Sequence, residues 1–302
     1  MRRRIWIWLP CAAALALLAS SRNACAQGIK APKIRDSNVG YIDPAIPGDL
    51  FRLRVDASYD NIRPNRADFF WSPGGKFGPG PAIPESSVNY QDVTPYLETL
   101  VLPSLSVFGE LPIRNLDPVQ NANAAGLSNF NFGLKYAFIE AEDLVTTFQF
   151  RTYVPSPDVQ FGVGNGHFSL EPALLLYRPI NDRWRIEAEV RDWIPVDGTS
   201  FAGNIIRYGI GTSYAVVEND VWRLSPVAEF VGWSILDGKE SIRQPSGTAL
   251  VRSAAGEEIV NVKVGLRLRF GDQMDLYAGY GRPLTGDFWY RNTFRFELRY
   301  FF

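Results

Sequence analysis

The sequence has few residues that build metal or redox sites: two cysteines, one histidine and two methionines in 302 residues. Cys11 and Cys25 both lie in an N-terminal segment expected to be removed, which would leave no disulfide and no cysteine-based metal site. With His167 as the single histidine, a metal site would consist almost wholly of carboxylates. We therefore expect no metal and no cofactor. No phosphate loop, dinucleotide fingerprint or basic nucleic-acid patch is evident, so no nucleic-acid partner is expected.

Long apolar runs are also lacking, apart from residues 5–19. This run follows Arg2-Arg3-Arg4 and precedes the small-residue pattern Ala24-Cys25-Ala26, as in a secretory signal peptide. It is shorter than the ~20 residues of a membrane-spanning helix, so a signal peptide over residues 1–26 is favoured over a membrane anchor. That segment contains four arginines and no acidic residue, so its removal changes the formal net charge from −1 to −5.

Aromatic residues, glycines and prolines are abundant, which favours short strands with frequent turns. The last eleven residues alternate with period two. One face carries Phe294, Phe296, Leu298, Tyr300 and Phe302, and the other carries Arg295, Glu297 and Arg299. This ending resembles the C-terminal assembly signal of outer-membrane barrels. The resemblance implies a location in the outer membrane, contact with its lipid, and recognition of Phe302 by the barrel assembly machinery.

Twelve segments have the length of ~9–11 residues and the alternation of transmembrane strands. They lie at about 50–62, 91–101, 104–113, 129–140, 144–154, 167–178, 183–195, 205–216, 221–233, 259–270, 275–283 and 291–302. Short connections alternate strictly with long ones, as in barrels with short periplasmic turns and long external loops. The predicted fold class is therefore all-β, a transmembrane antiparallel up-and-down β-barrel of about 12 strands over residues 50–302.

Two regions fit this pattern poorly. Residues 27–49 contain Pro44, Pro47 and Gly48 without alternation, and are predicted to be an irregular periplasmic lead-in. The sequence leaves open whether this segment plugs the barrel. Four prolines fall within or near the end of predicted strands, where a closed barrel has no edge to accommodate a residue without an N–H. These are Pro95, Pro112, Pro172 and Pro226. They indicate either bulges or misplaced boundaries.

Three short stretches resemble a known family. They are Gly126-Leu-Ser-Asn-Phe-Asn-Phe-Gly-Leu-Lys-Tyr136, Gly162-Val-Gly-Asn-Gly-His167 and Phe168-Ser-Leu-Glu-Pro-Ala173. They are similar to strands of the outer-membrane transporters grouped as "MetA-pathway of phenol degradation". The resemblance implies a barrel with a transport role. It supplies no substrate-binding residues.

Strand parity identifies charged residues that face the lumen, because a lipid-facing Arg or Lys costs ~2–4 kcal/mol at the bilayer midplane. The lumen candidates are Arg52, Arg54, Asp56, Glu98, Glu110, Lys135, Arg151, Glu171, Glu187, Glu189, Lys263, Arg267, Arg269, Arg295, Glu297 and Arg299. The predicted strands 10, 12 and 1 carry most of the basic ones. A basic wall of this kind favours small anionic solutes. Trp193 and Trp233 belong either to an interfacial girdle or to a pore mouth suited to carbohydrate or aromatic solutes.

These patterns favour a passive channel or transporter for small solutes, and no enzyme activity is expected. Two alternatives stay open. A closed structural barrel would result if the lumen charges simply neutralise each other. An outer-membrane acyl hydrolase would use His167 and Ser169, since residues i and i+2 share one face of a strand and an imidazole there could activate the hydroxyl. However, Phe168 and Leu170 occupy the lipid side, which turns this pair inward.

Overall fold

The computed structural model describes residues 37–66, 80–81, 83–196, 201–246 and 249–302. Nearly all regular structure in these ranges is β-strand, apart from a single 3-10 turn at Val159–Phe161. The strands are β1 (Leu50–Asn61), β2 (Val88–Leu102), β3 (Leu105–Glu110), β4 (Ile113–Pro118), β5 (Ala124–Leu127), β6 (Phe130–Glu140), β7 (Val145–Val154), β8 (Ser169–Pro179), β9 (Trp184–Pro195), β10 (Ile205–Tyr214), β11 (Val217–Glu218), β12 (Trp222–Ile235), β13 (Lys239–Arg243), β14 (Ala249–Ser253), β15 (Glu258–Phe270), β16 (Met274–Pro283) and β17 (Asn292–Phe301). Among the described residues, no helix is long and apolar enough to cross a membrane.

The strands form one closed antiparallel barrel of twelve strands. β3 continues into β4, and β5 into β6, so each pair makes one strand of the wall. The barrel closes because β1 pairs with β2 on one side and with β17 on the other, in register from Leu50↔Phe301 to Tyr59↔Asn292. β13 and β14 form a separate hairpin. The predicted fold class and strand number are confirmed.

Burial along the wall is the reverse of that in a water-soluble protein. On β17, Phe294, Phe296 and Tyr300 are 42%, 61% and 44% exposed, whereas Glu297 and Arg299 are 5% and 2% exposed. An apolar outer belt around a charged interior suits a barrel surrounded by lipid, since lipid solvates the aromatic rings and the lumen solvates the charges.

Most predicted strand boundaries lie within three residues of those observed. The predicted loop over 114–128 is wrong, because β4 and β5 pair there through Ile113↔Leu127 and Leu116↔Ala124, and only residues 119–123 connect them. Pro112 made the third strand seem to end early. The predicted loop over 234–258 also contains the β13–β14 hairpin, whose sequence lacks clear alternation.

The four prolines coincide with gaps in the hydrogen-bond ladders. Pro112 separates β3 from β4, and Pro95 lies opposite this gap, between the pairs Tyr96↔Glu110 and Val93↔Ile113. The β8–β9 ladder omits Pro172, and the β10–β12 ladder ends one residue after Pro226. A residue without an N–H is accommodated at such interruptions, so the strands continue through all of these positions.

The two ends of the barrel differ in their connections. One end, which we call the short-turn end, has brief turns such as residues 271–273; the other, the long-loop end, has the long connections. At the long-loop end, Arg63 pairs with Glu240, Glu257 and Asp287, and Arg66 Nη1 lies 2.7 Å from Glu257. Burial alone would raise the pKa of Glu240, but hydrogen bonding and charge from Arg63 lower it. This network joins the first, fifth and sixth long loops.

Candidate functional site

Residues 37–48, which we call the plug segment, lie inside the barrel. Val39, Tyr41, Ile42 and Ala45 are all buried there, against strands on opposite sides of the wall. This location differs from the periplasmic position predicted for the lead-in; residues 27–36, like the signal peptide, lie outside the described residues. The segment lacks regular structure, so its buried backbone groups need other hydrogen-bond partners, and the lumen charges supply them.

Carboxylates of the wall accept hydrogen bonds from the N–H groups of the plug segment. Glu229 accepts three, from residues 40–42, at 2.9–3.1 Å. Glu187 Oε1 accepts a bond from the Asn38 N–H at 2.8 Å. These are charge-assisted hydrogen bonds in a buried setting, about twice as strong as neutral ones. Glu189 and Glu98 likewise accept hydrogen bonds from the N–H groups of Asp43 and Gly48, so these four acidic residues of the lumen bind the chain's own backbone.

Arginines of the wall donate to the carbonyls of the same segment. Arg267 donates from Nε and Nη2 to the carbonyls of residues 38 and 39, at 2.8 and 2.7 Å. Arg295 Nη1 donates to the carbonyl of residue 40, and Arg299 Nη2 to that of residue 37, both at 2.6 Å. The three arginines belong to the predicted basic wall, and the plug segment uses part of their hydrogen-bonding capacity.

Glycines on β10 allow the plug segment to approach the wall. A Cβ at Gly209 would lie 3.0 Å from Ile42 Cγ1, and a Cβ at Gly211 would lie 2.9 Å from Val39 Cγ1. Larger residues at either position would push these side chains away. Gly209 and Gly211 are thus a sequence signal for a segment packed inside the barrel, which the alternation of lumen charges does not reveal.

The ring of Tyr41 contacts two cations. Lys263 Nζ is 3.4 Å from the centre of its ring, and the Arg295 guanidinium carbon is 3.9 Å away. Cation–π contacts of desolvated groups contribute ~2 kcal/mol or more. Burial raises the pKa of Tyr41 well above its ordinary value, so the phenol is neutral.

Asp43 is the acidic side chain of the plug segment. Its Oδ2 accepts hydrogen bonds from Arg151 Nη2 at 2.7 Å, from Arg191 Nη1 and Nη2 at 3.0 and 3.1 Å, and from Gln149 Nε2 at 3.2 Å. Burial alone would raise the pKa of Asp43, but the charges of Arg151 and Arg191 lower it well below its usual range. The side chain is therefore ionised near neutral pH, and its contribution to docking is lost only in strong acid.

None of the sixteen lumen candidates is solvent-exposed: twelve are buried and four are half-buried. The half-buried ones are Arg54, Asp56, Arg269 and Arg295. Close pairs among the candidates are Arg52–Glu110 (2.6 Å), Lys135–Glu98 (2.8 Å), Arg267–Glu297 (2.9 Å) and Arg295–Asp56 (2.6 Å). Arg269 instead donates to carbonyls of the turn at residues 271 and 272, so it stabilises the short-turn end.

Asp275 is a buried lumen carboxylate absent from the predicted set. It pairs with Arg267 Nη1 and Arg299 Nη2, both at 2.5 Å. Strand parity contained the signal, since Asp275 shares a face with Tyr277, which is also buried. The positive charge of the predicted basic wall is therefore neutralised by neighbouring carboxylates more fully than the sequence suggests.

A cavity of about 390 Å³ lies between the plug segment and the long-loop end. Tyr41 and Asp43 contribute to its lining on the plug side. Six further aromatic side chains line it: Tyr90, Tyr153, Trp193, Trp233, Trp289 and Tyr290. The lining also contains both signs of charge: the cations Arg54, Arg114, Arg151, Arg207, Lys263 and Arg295, and the anions Asp56, Asp92, Glu110 and Glu171. Trp193 and Trp233 are therefore cavity residues. The described residues contain no cluster of three or more His, Cys, Asp or Glu side chains placed to bind a metal.

His167 and Ser169 are adjacent but enclosed. Ser169 Oγ lies 3.1 Å from His167 Nδ1, and both residues are 0% exposed, whereas Phe168 between them is 40% exposed. His167 Nδ1 also lies 3.3 Å from the Phe168 carbonyl. A nitrogen that donates to this carbonyl cannot at the same time accept the hydroxyl proton. Neither side chain reaches the lipid surface, where an acyl ester would be.

We expect the wild-type chain to release no fatty acid from phospholipid or lipid A, because the His167–Ser169 pair is inaccessible to those substrates. The measurement is fatty-acid release from mixed micelles, with Ser169→Ala and His167→Ala as matched variants. A hydrolysis rate that is present in the wild type and lost in both variants would overturn this expectation.

Comparisons with known proteins agree with the fold. No protein-family model and no curated protein matches the chain. Among solved structures, an outer-membrane channel from Pseudomonas putida F1 is similar. It is 13% identical to this chain, the match covers 88% of this chain and 98% of that chain, and the TM-score is 0.53. The NanC porin is 9% identical, with 83% of this chain and 100% of that chain covered and a TM-score of 0.49. The KdgM porin is 9% identical, with 84% of this chain and 99% of that chain covered and a TM-score of 0.47.

The likeness to the Pseudomonas putida channel shows the fold alone, that of an outer-membrane β-barrel, and by structural similarity it points to the outer membrane. The predicted phenol-degradation family is not confirmed by these comparisons.

Proposed function

We propose that the chain is an outer-membrane channel for small solutes, whose lumen is closed by its own plug segment in the conformation described here. The observation that supports this most is the polar, charged interior of a closed twelve-stranded barrel, with a cavity left above the plug segment. A barrel that serves only as a scaffold could fill its interior with apolar side chains. Charged groups lining a water-filled path instead select ions and small polar solutes.

The plug segment is the proposed gate because it has no regular structure and packs through contacts that can be broken together. Its backbone is bound by side chains of the wall, and neither edge of the segment is part of the barrel ladder. Withdrawal would leave the twelve wall strands paired as they are. A second candidate, a permanently closed barrel, is favoured by the number of buried contacts that the segment makes.

A disulfide between the plug segment and the wall distinguishes these two functions. A Cβ at Gly209 would lie 3.0 Å from Ile42 Cγ1, close to the separation of about 3 Å between the Cβ of one half-cystine and the Sγ of the other. We expect the Ile42→Cys/Gly209→Cys chain, without its signal peptide, to show channel openings in planar bilayers when reduced and almost none when oxidised.

The control is the single Ile42→Cys variant, which should not respond to oxidant. Openings that continue in the oxidised double variant would show that the plug segment is not the gate. A complete lack of conductance in the reduced double variant and in the wild type would instead support the permanently closed barrel.

A further inference from the structure

We propose that Arg151 and Arg191 form a binding site for the carboxylate of a small solute, and that Asp43 of the plug segment occupies this site in the closed state. The inference rests on the proposed channel function, since it assigns a solute class to the same lumen. The passenger would be a monocarboxylate with an apolar or aromatic body.

The site has the features of a built anion site. Four N–H groups from three side chains converge on one oxygen, Asp43 Oδ2, at 2.7–3.2 Å. Arg151, Arg191 and Gln149 are 6%, 2% and 0% exposed. Arginine forks in a desolvated setting suit the planar geometry of a carboxylate. The donors belong to the wall strands β7 and β9, so the site would persist if the plug segment moved.

Arg151 depends on the plug segment for its close ion pair. Asp43 lies 2.7 Å from it, whereas its ion-pair partners on the described wall, Glu171 and Glu110, lie at 3.7 and 3.8 Å. A buried cation that loses its close partner is costly. A conformation without docked Asp43 is therefore stabilised by any anion that reaches Arg151.

The charge required is one negative unit. Arg191 retains wall partners in every arrangement, since Glu171 lies 2.8 Å from its Nη1 and Glu189 also pairs with it. Arg151 is then left with only the more distant carboxylates Glu171 and Glu110 among the described residues. A monocarboxylate matches this requirement, and a second carboxylate on the solute would face Glu171 and Glu189.

The cavity above the plug segment gives a solute access to Arg151. Its lining determines which groups can accompany the carboxylate of that solute. It is lined by Asp43 and Arg151 together with aromatic rings that include Trp193 and Trp233. Its volume of about 390 Å³ falls within the ~300–1,000 Å³ of small-molecule sites. A solute whose carboxylate enters first would compete with Asp43, which is tethered and so has a high effective concentration. Binding to the wild type should consequently be weak.

Calorimetric titration of benzoate into the full chain in detergent tests the proposal. We expect Asp43→Ala to bind benzoate at least tenfold more tightly than the wild type, because the tethered competitor is gone. Benzamide, the neutral analogue, should show no such gain. Asp49→Ala is the matched control: Asp49 accepts bonds from Thr99 Oγ1 and the Leu100 N–H, and it contacts no arginine among the described residues.

Equal benzoate affinity in Asp43→Ala and the wild type would overturn the site, as would tight binding that persists after Arg151→Gln is added to Asp43→Ala. Asp43→Asn, which retains the shape of the side chain, replaces Asp43→Ala if the latter does not give a folded, heat-modifiable barrel. The titration requires no ion flow. Benzoate binding without conductance would therefore reject the channel and retain the site, and conductance without preferential binding would reject the site alone.

Discussion

Replacing residues 37–48 with a Gly-Ser segment of equal length is expected to raise the single-channel conductance on the order of tenfold, because pore width and lining charge set ion flow. The replacement removes the side chains of Val39, Tyr41 and Ile42 from the interior. A Gly-Ser chain also loses more conformational entropy on docking, so its peptide groups alone are not expected to hold it against Glu229 and Arg267. Wall pairs such as Arg52–Glu110 form no hydrogen bond with the segment, so the barrel itself should stay assembled. The measurement is conductance in planar bilayers at fixed salt.

A comparable Gly-Ser replacement at residues 119–123, the exposed connection between β4 and β5, is the control and should leave conductance unchanged. Both variants should show the same shift in gel mobility on boiling. If the plug replacement conducts no better than the wild type, the long loops or the wall side chains close the lumen and the proposed gate is wrong.

Arg267→Met is expected to lower the free energy of unfolding by about 3–5 kcal/mol, the usual cost of removing one partner of a buried ion pair. Arg267 is 1% exposed and pairs with Asp275 and Glu297, at 2.5 and 2.9 Å. Its loss leaves both carboxylates with less compensation and removes two donors from the plug segment. Denaturant unfolding of the lipid-embedded barrel, followed by tryptophan fluorescence, measures the change.

Arg291→Met is the matched control. Arg291 pairs with Asp60 at 3.7 Å, with side chains 64% and 52% exposed, and exposed pairs of this kind contribute about 0–1 kcal/mol. Adding Glu297→Gln to Arg267→Met should recover part of the lost stability, because without Arg267 the Glu297 carboxylate keeps only the more distant Arg52 and Arg299, at 3.9 and 3.7 Å. A loss in Arg267→Met no larger than that in Arg291→Met would contradict a stabilising role for the lumen network.

The strands of the wall could be predicted from sequence because each is specified by residues close together in the chain. Alternation with period two specifies both the strand and the side that faces lipid, as in Phe296-Glu297-Leu298-Arg299. The same alternation located the buried charges of the lumen. The alternation failed at Pro112, where a break in one hydrogen-bond ladder resembled the end of a strand. It also failed in β13–β14, whose side chains do not alternate between a lipid-facing and a lumen-facing side.

The plug segment could not be predicted in this way because its partners are distant in sequence. Tyr41 binds Glu229, 188 residues away, and Val39 binds Arg267, 228 residues away. Residues 37–48 have no periodicity that reports these contacts. Two features were informative without being decisive: the large number of lumen charges, which exceeds what a narrow pore needs, and the inward-facing Gly209 and Gly211.

The wall binds the plug segment mainly through its peptide groups, and this determines which substitutions the segment can accept. Most side chains at positions 37–42 can be exchanged for others of similar size without loss of a backbone hydrogen bond. Proline is the exception at positions 40–42, since it lacks the N–H that Glu229 accepts, and at position 38, whose N–H donates to Glu187. A library of random substitutions, selected for a closed barrel, should therefore tolerate residues of similar size at Ser37 and exclude proline from the Glu187 and Glu229 contacts. It should retain an acidic residue at Asp43 and, at Asn38, a side chain that accepts a hydrogen bond from Arg223.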